Sequence, residues 1–324
     1  MARLKWSPSS IPSLKGRTYI VTGGNTGIGY WTVHHLALHG ATVFMTCRNA
    51  ERCKAALSAL QTSIKQSNPP ITLDIRPIIM DLMSLRSVRE AATKILSETT
   101  HLHGIVNSAG IMATPFAMSE DGYESQFQTN YLAHWLLTYL LLPLLESTAA
   151  HEEQPGSVRV VNISSMGHAA APKEGINFAD TALAQSFTFR RYGQSKLANI
   201  LHAKSLHQRY NHASAANRPA TNNNKIWALS LHPGNVDTQL NTQSWGSALV
   251  PILRCLSVYI TPEEGSYNSL WAVASPQVTA GMSGEYFVPV GVKKEPSKFA
   301  RGAQLADKLW EWTEKEMMSK GFLH

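Results

Sequence analysis

The sequence contains few cysteines: Cys47, Cys53 and Cys255 are the three among 324 residues. Three cysteines are too few for a disulfide framework, and neither a CxxC pair nor a Cys/His cluster with metal-ligand spacing occurs. We therefore expect no bound metal. Cys47 and Cys255 lie in apolar stretches, where a thiol is most simply a core or pocket-wall residue. This cysteine usage indicates a reducing compartment, and we expect the protein in the cytoplasm.

Long hydrophobic runs are lacking as well. Residues 1–17 contain no apolar segment between the basic residues and the first strand pattern, which is unlike a secretory signal. The most apolar run, residues 131–146, is shorter than the roughly 20 residues of a membrane-spanning helix and contains His134 and Pro143. We expect this run to form a buried helix, and we expect no membrane-spanning segment.

Concentrated charge of one sign is absent too. The formal net charge is +7, but the basic residues are scattered and no run resembles a nucleic-acid-binding arm. Hydrophobic residues make up 44% of the chain and charged residues 16%, which is the composition of a globular protein with a buried core. We expect a basic enzyme that acts on a small molecule, with no nucleic-acid partner.

Strand and helix patterns alternate from residue 17 to about residue 235. This alternation predicts an α/β protein with a doubly wound, Rossmann-type parallel sheet and helices on both faces. The polar stretch 211–224 is expected to be a surface loop, because strand material resumes directly after it. No internal repeat divides the chain. We expect one domain over residues 1–324, with a core at about 15–240 and a C-terminal part at about 240–324 whose last helix packs on the domain or on a partner.

A glycine-rich turn follows the first strand pattern in "TGGNTGIG", residues 22–29. Gly23, Gly27 and Gly29 lie between a strand and the start of a helix. In such a turn, backbone N–H groups and the positive end of the helix dipole bind phosphate, and the glycines allow a pyrophosphate to approach closely. Glycine-rich turns of this kind also occur for steric reasons alone, so the motif depends on its context.

The second strand pattern ends in Cys47-Arg48-Asn49, about twenty residues after the glycine turn. An acidic residue at this distance usually binds the adenosine ribose of NAD, whereas an arginine suits the 2′-phosphate of NADP. Arg48 can bind a phosphate with two hydrogen bonds. The sequence therefore favours NADP(H) over NAD(H). The alternative is a solvated arginine at the end of a strand, which leaves NAD open.

Four motifs follow in order: "TGGNTGIG", "NSAG" at 107–110, "VNISS" at 161–165 and "YGQSK" at 192–196. Together they resemble the short-chain dehydrogenase/reductase family. The phrases "TCRN", "NYLAHWLLT", "SSMGH" and "SKLANIL" are most similar to its retinol-dehydrogenase-like branch, which includes the oxidoreductase part of WW-domain oxidoreductases. The resemblance implies an oxidoreductase, for example a ketoreductase of secondary metabolism, that interconverts an alcohol and a carbonyl with a nicotinamide cofactor.

The resemblance also implies the residues of the site. Asp81 would bond the adenine amino group, and Asn107 with the backbone through Gly110 would line the adenine ribose. Val236 and Thr238 would contact the nicotinamide carboxamide, and Asn130 would hold a water chain for proton exchange. The implied catalytic residues are Asn130, Ser165, Tyr192 and Lys196. The implied cofactor-binding residues are Gly23, Asn25, Gly27, Ile28, Gly29, Arg48, Asp81, Leu82, Asn107, Ala109, Gly110, Tyr192, Lys196, Val236 and Thr238.

The sequence departs from the family pattern in two places. Ser108 stands where the family usually has a second asparagine. A serine keeps a small polar group at this position. Residues 166–191 form a longer interval between the serine and the tyrosine than in compact members, and we expect them to build part of the substrate entrance. Ser164 and Ser165 compete for the catalytic role, and Ser165 is preferred because it lies at the very end of the strand.

Tyr192 and Lys196 are four residues apart in a helical pattern and therefore share one face. A tyrosine has a pKa of about 10 and is a poor base at neutral pH. A neighbouring ammonium and an oxidised nicotinamide would lower the pKa of Tyr192, and Ser165 would stabilise a developing alkoxide. A lone YxxxK pattern also arises by chance on helix surfaces. His168 is expected to be a bystander and His232 to be structural.

Residues 240–265 are where the family has its substrate lid. Their apolar side chains are Trp245, Leu249, Ile252, Leu253, Leu256 and Tyr259. They predict an apolar or aromatic substrate, although an interfacial helix or simple packing would use the same pattern. The sequence thus predicts an NADP(H)-dependent oxidoreductase, monomeric or homodimeric. The alternatives are an NAD-dependent alcohol dehydrogenase and a non-catalytic regulatory protein that binds the cofactor.

Overall fold

The computed structural model describes residues 6–67, 73–210, 226–236 and 259–323. Within these ranges eight strands form one sheet in the order β3-β2-β1-β4-β5-β6-β7-β8. Neighbouring strands are parallel except β7 and β8, which are antiparallel. The strands are β1 Thr18–Val21, β2 Thr42–Cys47, β3 Asp74–Ile79, β4 Gly104–Asn107, β5 Val158–Ile163, β6 Ile226–Leu231, β7 Tyr286–Val288 and β8 Val292–Lys293.

The helices connect these strands in the order that the alternation predicts. They are α1 Gly27–Leu38, α2 Ala50–Ser67, α3 Leu85–Glu98, α4 Ser125–Phe127, α5 Ala133–His151, α6 Thr188–Tyr210, α7 Pro262–Ala274 and α8 Ala303–Ser319. A π-helical turn, Gln128–Leu132, joins α4 to α5. Ser84 caps α3, because its side chain accepts the backbone N–H of Ser87.

The helices pack on both faces of the sheet, as predicted for a doubly wound fold. One apolar core contains residues of α3, α5, α6 and α8, and the other contains residues of α1, α2 and α7. Helix α5 is apolar nearly all round, because it lies between the sheet and its neighbours, and Trp135 on it is fully buried. The structure thus has the predicted α/β fold, a mostly parallel sheet covered on both sides.

The C-terminal helix α8 packs on the rest of the described chain, which is one of the two arrangements expected for it. Trp310 of α8 lies edge-on to Trp135 with ring centroids 5.1 Å apart. The hydroxyl of Tyr131 is 2.7 Å from that of Thr313 on the same helix. Helix α8 therefore contributes to the same apolar core as α5 and α6. Of the helices described, none is long and apolar enough to cross a membrane.

Cys47 lies in the core as expected, but it is not a free thiol. It forms a disulfide with Cys53 of α2, and the two Cα atoms are 5.9 Å apart. The expectation of unpaired cysteines is therefore wrong for this pair, since β2 and the first turn of α2 bring two residues that are six apart into contact. Cys255, the loop 211–224 and the predicted lid residues from Trp245 to Leu256 lie outside the described residues.

Candidate active site

The glycine turn between β1 and α1 requires glycine for two separate reasons. Gly23 and Gly27 have φ angles of +66° and +57°, which side chains other than glycine's rarely adopt. A Cβ on Gly29 would lie 2.4 Å from the carbonyl oxygen of Gly23. The turn leads directly into the N-terminus of α1, whose N-cap Thr26 makes no side-chain capping bond. The first backbone N–H groups of the helix therefore lie where an anion would bind.

This turn lies where the strand order of the sheet reverses, because β1 is flanked by β2 on one side and β4 on the other. Open α/β sheets bind dinucleotides in the crevice at this point. The hydroxyl of Thr22 accepts the backbone N–H groups of Ser108 and Ala109, each at 2.9 Å. These two hydrogen bonds connect the glycine turn to the "NSAG" motif after β4, and Ala109 packs against Gly23.

The adenosine side of the crevice contains three predicted residues in different environments. Arg48 is exposed directly after β2 and has no partner among the residues described. Asp81 follows β3, and its Oδ1 accepts the N–H of Met83 at 3.0 Å. Leu82 is buried, and its carbonyl oxygen accepts the Gln128 side chain at 3.3 Å. Arg48 is thus the predicted side chain most free to bind a ligand.

Asn107 is placed differently from the expectation that it lines the ribose. Its side chain is 1% exposed and points into the core. Nδ2 donates to the side chains of Asn162 and Thr138, at 2.8 Å and 3.2 Å. The Asn107 side chain therefore links β4 to β5 and α5, and only the backbone after it can face a cofactor.

Ile28 and Val236, two predicted cofactor-binding residues, lie together beside a glycine that the sequence analysis did not identify. A Cβ on Gly265, in the first turn of α7, would lie 2.6 Å from Val236 and 3.3 Å from Ile28. Gly265 thus lets two predicted residues approach each other. Asn25 is half-buried in the glycine turn. Thr238 lies outside the described residues.

Ser164 and Ser165 point in different directions at the end of β5. Ser164 is buried, and its hydroxyl donates to the carbonyl oxygen of Lys196 at 2.7 Å. Ser165 is half-buried, its Oγ accepts the N–H of Gly167 at 3.0 Å, and its side chain opposes the rise that burial causes in the pKa of Tyr192. A Cβ on Gly167 would lie 2.9 Å from the Tyr192 ring. Ser165 is therefore the serine that faces the tyrosine.

Lys196 and Tyr192 lie side by side on α6, as the spacing predicts. The Lys196 Nζ donates to the carbonyl oxygen of Ile163 at 3.1 Å and is 5.7 Å from the centroid of the Tyr192 ring. Burial lowers the pKa of Lys196 to about 8. Burial also raises the pKa of Tyr192 to about 12, and the Ser165 hydrogen bond opposes this rise. Burial thus dominates the pKa of Tyr192 in the free protein, and the expected lowering, which also depends on an oxidised nicotinamide, stays a prediction.

Asn130 lies in the π-helical turn, and both polar atoms of its amide group have hydrogen-bond partners in the protein. Oδ1 accepts the N–H of Ile111 at 2.8 Å, while Nδ2 donates to the Ile111 carbonyl at 3.0 Å and to Ser195 Oγ at 2.9 Å. Oδ1 accepts one hydrogen bond and keeps a second lone pair, so the expected water chain at Asn130 stays a prediction. The side chain fastens the segment after β4 to α6, next to the catalytic pair.

The segment 166–191 is only partly at the site. The Gln194 side chain of α6 makes two hydrogen bonds to this segment. Its Oε1 accepts the N–H of Asn177 at 2.9 Å, and its Nε2 donates to the carbonyl oxygen of Thr181 at 3.0 Å. Phe178 packs on Trp312 of α8. The middle of the segment therefore covers α6 and α8, unlike the expected substrate entrance. Met166, directly after Ser165, is nearly half exposed at the site itself.

His168 makes structural contacts at the site, and nothing in its bonding points to an extra acid. Its Nε2 accepts the N–H of Ser297 at 3.0 Å. Because a backbone N–H always donates, the ring proton is on Nδ1, which lies 2.6 Å from the Ser165 carbonyl oxygen. Burial lowers the pKa of His168. A neutral histidine thus fastens the Ser165 backbone to the C-terminal segment.

A buried ion pair at the start of α6 was also missed. Arg191 and Glu124 are 6% and 1% exposed, with Nε and Oε1 3.5 Å apart. Glu124 also accepts the N–H of Phe127 and so caps α4. The pair joins the beginning of α4 to the residue next to Tyr192. No sequence signal identifies it, because the two residues are 67 positions apart.

The short chain dehydrogenase family model matches residues 17–247. The chain is 48% identical over 318 residues to the short-chain dehydrogenase/reductase drtF of Aspergillus calidoustus, covering 98% of both. It is 36% identical over 315 residues to retinol dehydrogenase 14 of Homo sapiens, covering 93% of this chain and 86% of that one. The solved Pseudomonas aeruginosa RhlG/NADP active-site complex has a TM-score of 0.62 at 25% identity, covering 86% of this chain and 96% of that one.

The chain therefore belongs to the short-chain dehydrogenase/reductase family, which confirms the resemblance seen in its motifs. It is an oxidoreductase that acts on a small molecule with a nicotinamide cofactor.

The described residues fit such a dinucleotide. A Cβ on Gly110 would lie 3.3 Å from Lys196 Nζ and 2.9 Å from Asn130 Oδ1, so the glycine leaves space beside these two side chains. Lys196 uses one hydrogen bond to Ile163 and retains two N–H groups for a ribose.

Proposed function

We propose that the protein is an NADP(H)-dependent oxidoreductase that interconverts a carbonyl and an alcohol on an apolar small molecule. The observation that carries the proposal is the arrangement of Ser165, Tyr192 and Lys196 at the end of β5, with Lys196 beside Gly110 in the segment that Thr22 binds to the glycine turn. We also propose that residues 1–324 form one domain, which is supported by the continuous eight-stranded sheet. The cytoplasmic location and the monomeric or homodimeric state stay predictions.

The roles of the three side chains follow from their positions and charges. A bound NADPH supplies the hydride that the carbonyl carbon receives. Ser165 donates a hydrogen bond to the carbonyl oxygen and stabilises the charge that develops there. Tyr192 transfers its phenolic proton to the same oxygen, which completes the alcohol and leaves a phenolate. The positive charge of Lys196 stabilises that phenolate.

The direction of the pKa shifts favours carbonyl reduction at neutral pH. Burial raises the pKa of Tyr192 to about 12, so the phenol carries the proton that reduction needs. Burial lowers the pKa of Lys196 to about 8, which still leaves it mostly protonated at pH 7. Alcohol oxidation would require the opposite state of Tyr192. The free protein thus holds Tyr192 and Lys196 in the protonation states with which the proposed reduction begins.

The proposal of NADP(H) over NAD(H) is supported by the end of β2. Cys47 stands where an acidic residue would bind the ribose of NAD, and the exposed Arg48 is next to it. The RhlG complex shows that a relative of this fold binds NADP. An apolar substrate is supported by the exposed Met166 beside Ser165 and by the apolar residues of the predicted lid.

The experiment is turnover by the purified protein with NADPH and a panel of ketones and aldehydes, followed by loss of NADPH absorbance. We expect bulky apolar ketones to be reduced faster than small hydrophilic ones. A preference for a charged sugar or a hydroxy acid would contradict the substrate class. Tight binding of NADPH without turnover of any compound would contradict the proposed reaction and favour a regulatory protein.

A further inference from the structure

His134, the second residue of α5, is a buried histidine with a partner at each ring nitrogen. Its side chain is 1% exposed. Nε2 lies 2.9 Å from the Thr22 hydroxyl, and Nδ1 lies 3.0 Å from the carbonyl oxygen of Asn130. Thr22 begins the glycine turn, and Asn130 lies in the π-helical turn. One imidazole therefore joins the segment that binds the cofactor to the helix that carries Asn130.

The Thr22 hydroxyl determines which nitrogen of His134 carries the proton. The hydroxyl oxygen accepts the N–H groups of Ser108 and Ala109 at 2.9 Å each, which uses both of its lone pairs. Its own proton must then be donated, and Nε2 of His134 is the acceptor within reach. Nδ1 consequently carries the ring proton and donates to Asn130.

The surroundings of His134 keep the ring neutral. Burial is the main cause that lowers its pKa to about 4, and the nearby charge of Lys196 lowers it further, while the bond to Asn130 opposes the shift. His202 on α6 is the other titratable group close to it. A proton on Nε2 would face a hydroxyl oxygen whose lone pairs are already occupied. The hydrogen-bond pattern and the charge environment thus require the same state.

We propose that His134, as the neutral Nδ1–H tautomer, is a positioning residue that holds the glycine turn, the segment after β4 and α5 in one arrangement. It acts through Thr22 and Asn130 and contacts neither substrate nor cofactor. The hydrogen bond with His134 fixes the orientation of the Thr22 hydroxyl, so that its oxygen faces the backbone N–H groups of Ser108 and Ala109. The inference rests on the proposed function only for its effect on turnover, since cofactor affinity and tautomer are measured separately.

The tautomer is tested by 15N NMR of histidine-labelled protein, with the His134 signals assigned by their loss in His134→Gln. We expect a protonated Nδ1 and an unprotonated Nε2 that stay unchanged between about pH 5.5 and pH 8. In Thr22→Val, which removes the hydroxyl and keeps the shape, the Nε2 signal should shift. A protonated Nε2, or titration of the ring in this range, overturns the proposal.

The positioning role is tested by the Kd of whichever nicotinamide cofactor the wild type binds more tightly. His134→Phe leaves the Thr22 proton without an acceptor in a buried place, and we expect the Kd to rise about tenfold. His134→Gln keeps an acceptor within reach of Thr22 and should restore most of the affinity. The control is His202→Phe, another buried histidine, which should change the Kd less than about twofold.

An unchanged Kd in His134→Phe overturns the positioning role, and so does an equal loss in His134→Gln. If His134→Phe does not fold, the NMR measurements on the wild type and on Thr22→Val still decide. A wild type that turns over no carbonyl compound contradicts the proposed function instead. In that case the tautomer and the Kd values still test the role of His134.

Discussion

The ammonium nitrogen of Lys196 lies 5.7 Å from the centroid of the Tyr192 ring and donates its hydrogen bond to the carbonyl oxygen of Ile163. The positive charge is thus close to the tyrosine without being bound to its hydroxyl. In the proposed mechanism, Lys196 would stabilise the phenolate once it has formed, while burial keeps the phenol protonated beforehand. A general acid needs these properties, because it must keep its proton until the reaction step and then release it.

Tyr192→Phe should nearly abolish carbonyl reduction. The substitution removes one hydroxyl and keeps the ring, so the fold and the cofactor site should survive. We expect kcat to fall by roughly two to four orders of magnitude, which is the usual contribution of a positioned proton donor. Steady-state kinetics and an NADPH titration check this. The matched control is Tyr139→Phe, whose hydroxyl bonds Glu314 on α8. Full activity in Tyr192→Phe would refute the mechanism.

Ser165→Ala and Ser164→Ala should separate chemistry from stability. Ser165→Ala removes the hydroxyl that faces Tyr192, and we expect kcat to fall by about a hundredfold or more with little change in Tm. Ser164→Ala removes the bond to the Lys196 carbonyl, so we expect a loss of about 1 kcal/mol in unfolding free energy. Kinetics and denaturant unfolding of both variants check this. The reverse pattern would assign the catalytic role to Ser164.

Arg48→Ala should weaken NADPH binding much more than NADH binding. Loss of a charge-assisted hydrogen bond to the 2′-phosphate should raise the NADPH Kd by about tenfold or more. Cys47→Asp should shift the preference toward NADH by repelling the phosphate. The controls are Arg52→Ala, an exposed arginine in the first turn of α2, and Cys53→Ala, which breaks the disulfide alone. Equal use of both cofactors by the wild type would contradict the assignment.

The free energy of unfolding should fall as the pH drops below about 6.5. Burial lowers the pKa of His134 to about 4 and that of His202 to about 3 in the folded protein, whereas an unfolded histidine has a pKa of about 6.5. Between these values only the unfolded state binds the protons. Each such histidine contributes a slope of up to about 1.4 kcal/mol per pH unit.

Urea unfolding at several pH values measures that slope. Above about pH 6.5 both states are neutral at these residues, and their contribution to stability should be constant. His202→Phe should show a smaller slope in the acidic range than the wild type. A stability that is independent of pH between about pH 4.5 and pH 6.5 would contradict the buried neutral histidines.

The first six strands could be predicted because each has an apolar pattern followed by a glycine, a polar cap or a motif. Strands β7 and β8 were missed, since three and two residues are too short to show a period. Helix α7 had a readable start: Thr261 and Glu264 form a capping box, with Pro262 at the first helical position. The sequence analysis assigned these residues to an apolar lid and therefore did not recognise the start of a helix.

The sequence by itself determined the fold class, the glycine turn, and the spacing of Tyr192 and Lys196, because these depend on contacts between residues close in the chain. Only the tertiary structure decided which way side chains point. It turned Asn107 into the core, engaged the Asn130 amide with Ile111, and placed His134 against Thr22. These partners are 19 to 112 residues apart, so no local pattern records them. Packing of α5 and α6 on the sheet brings them together.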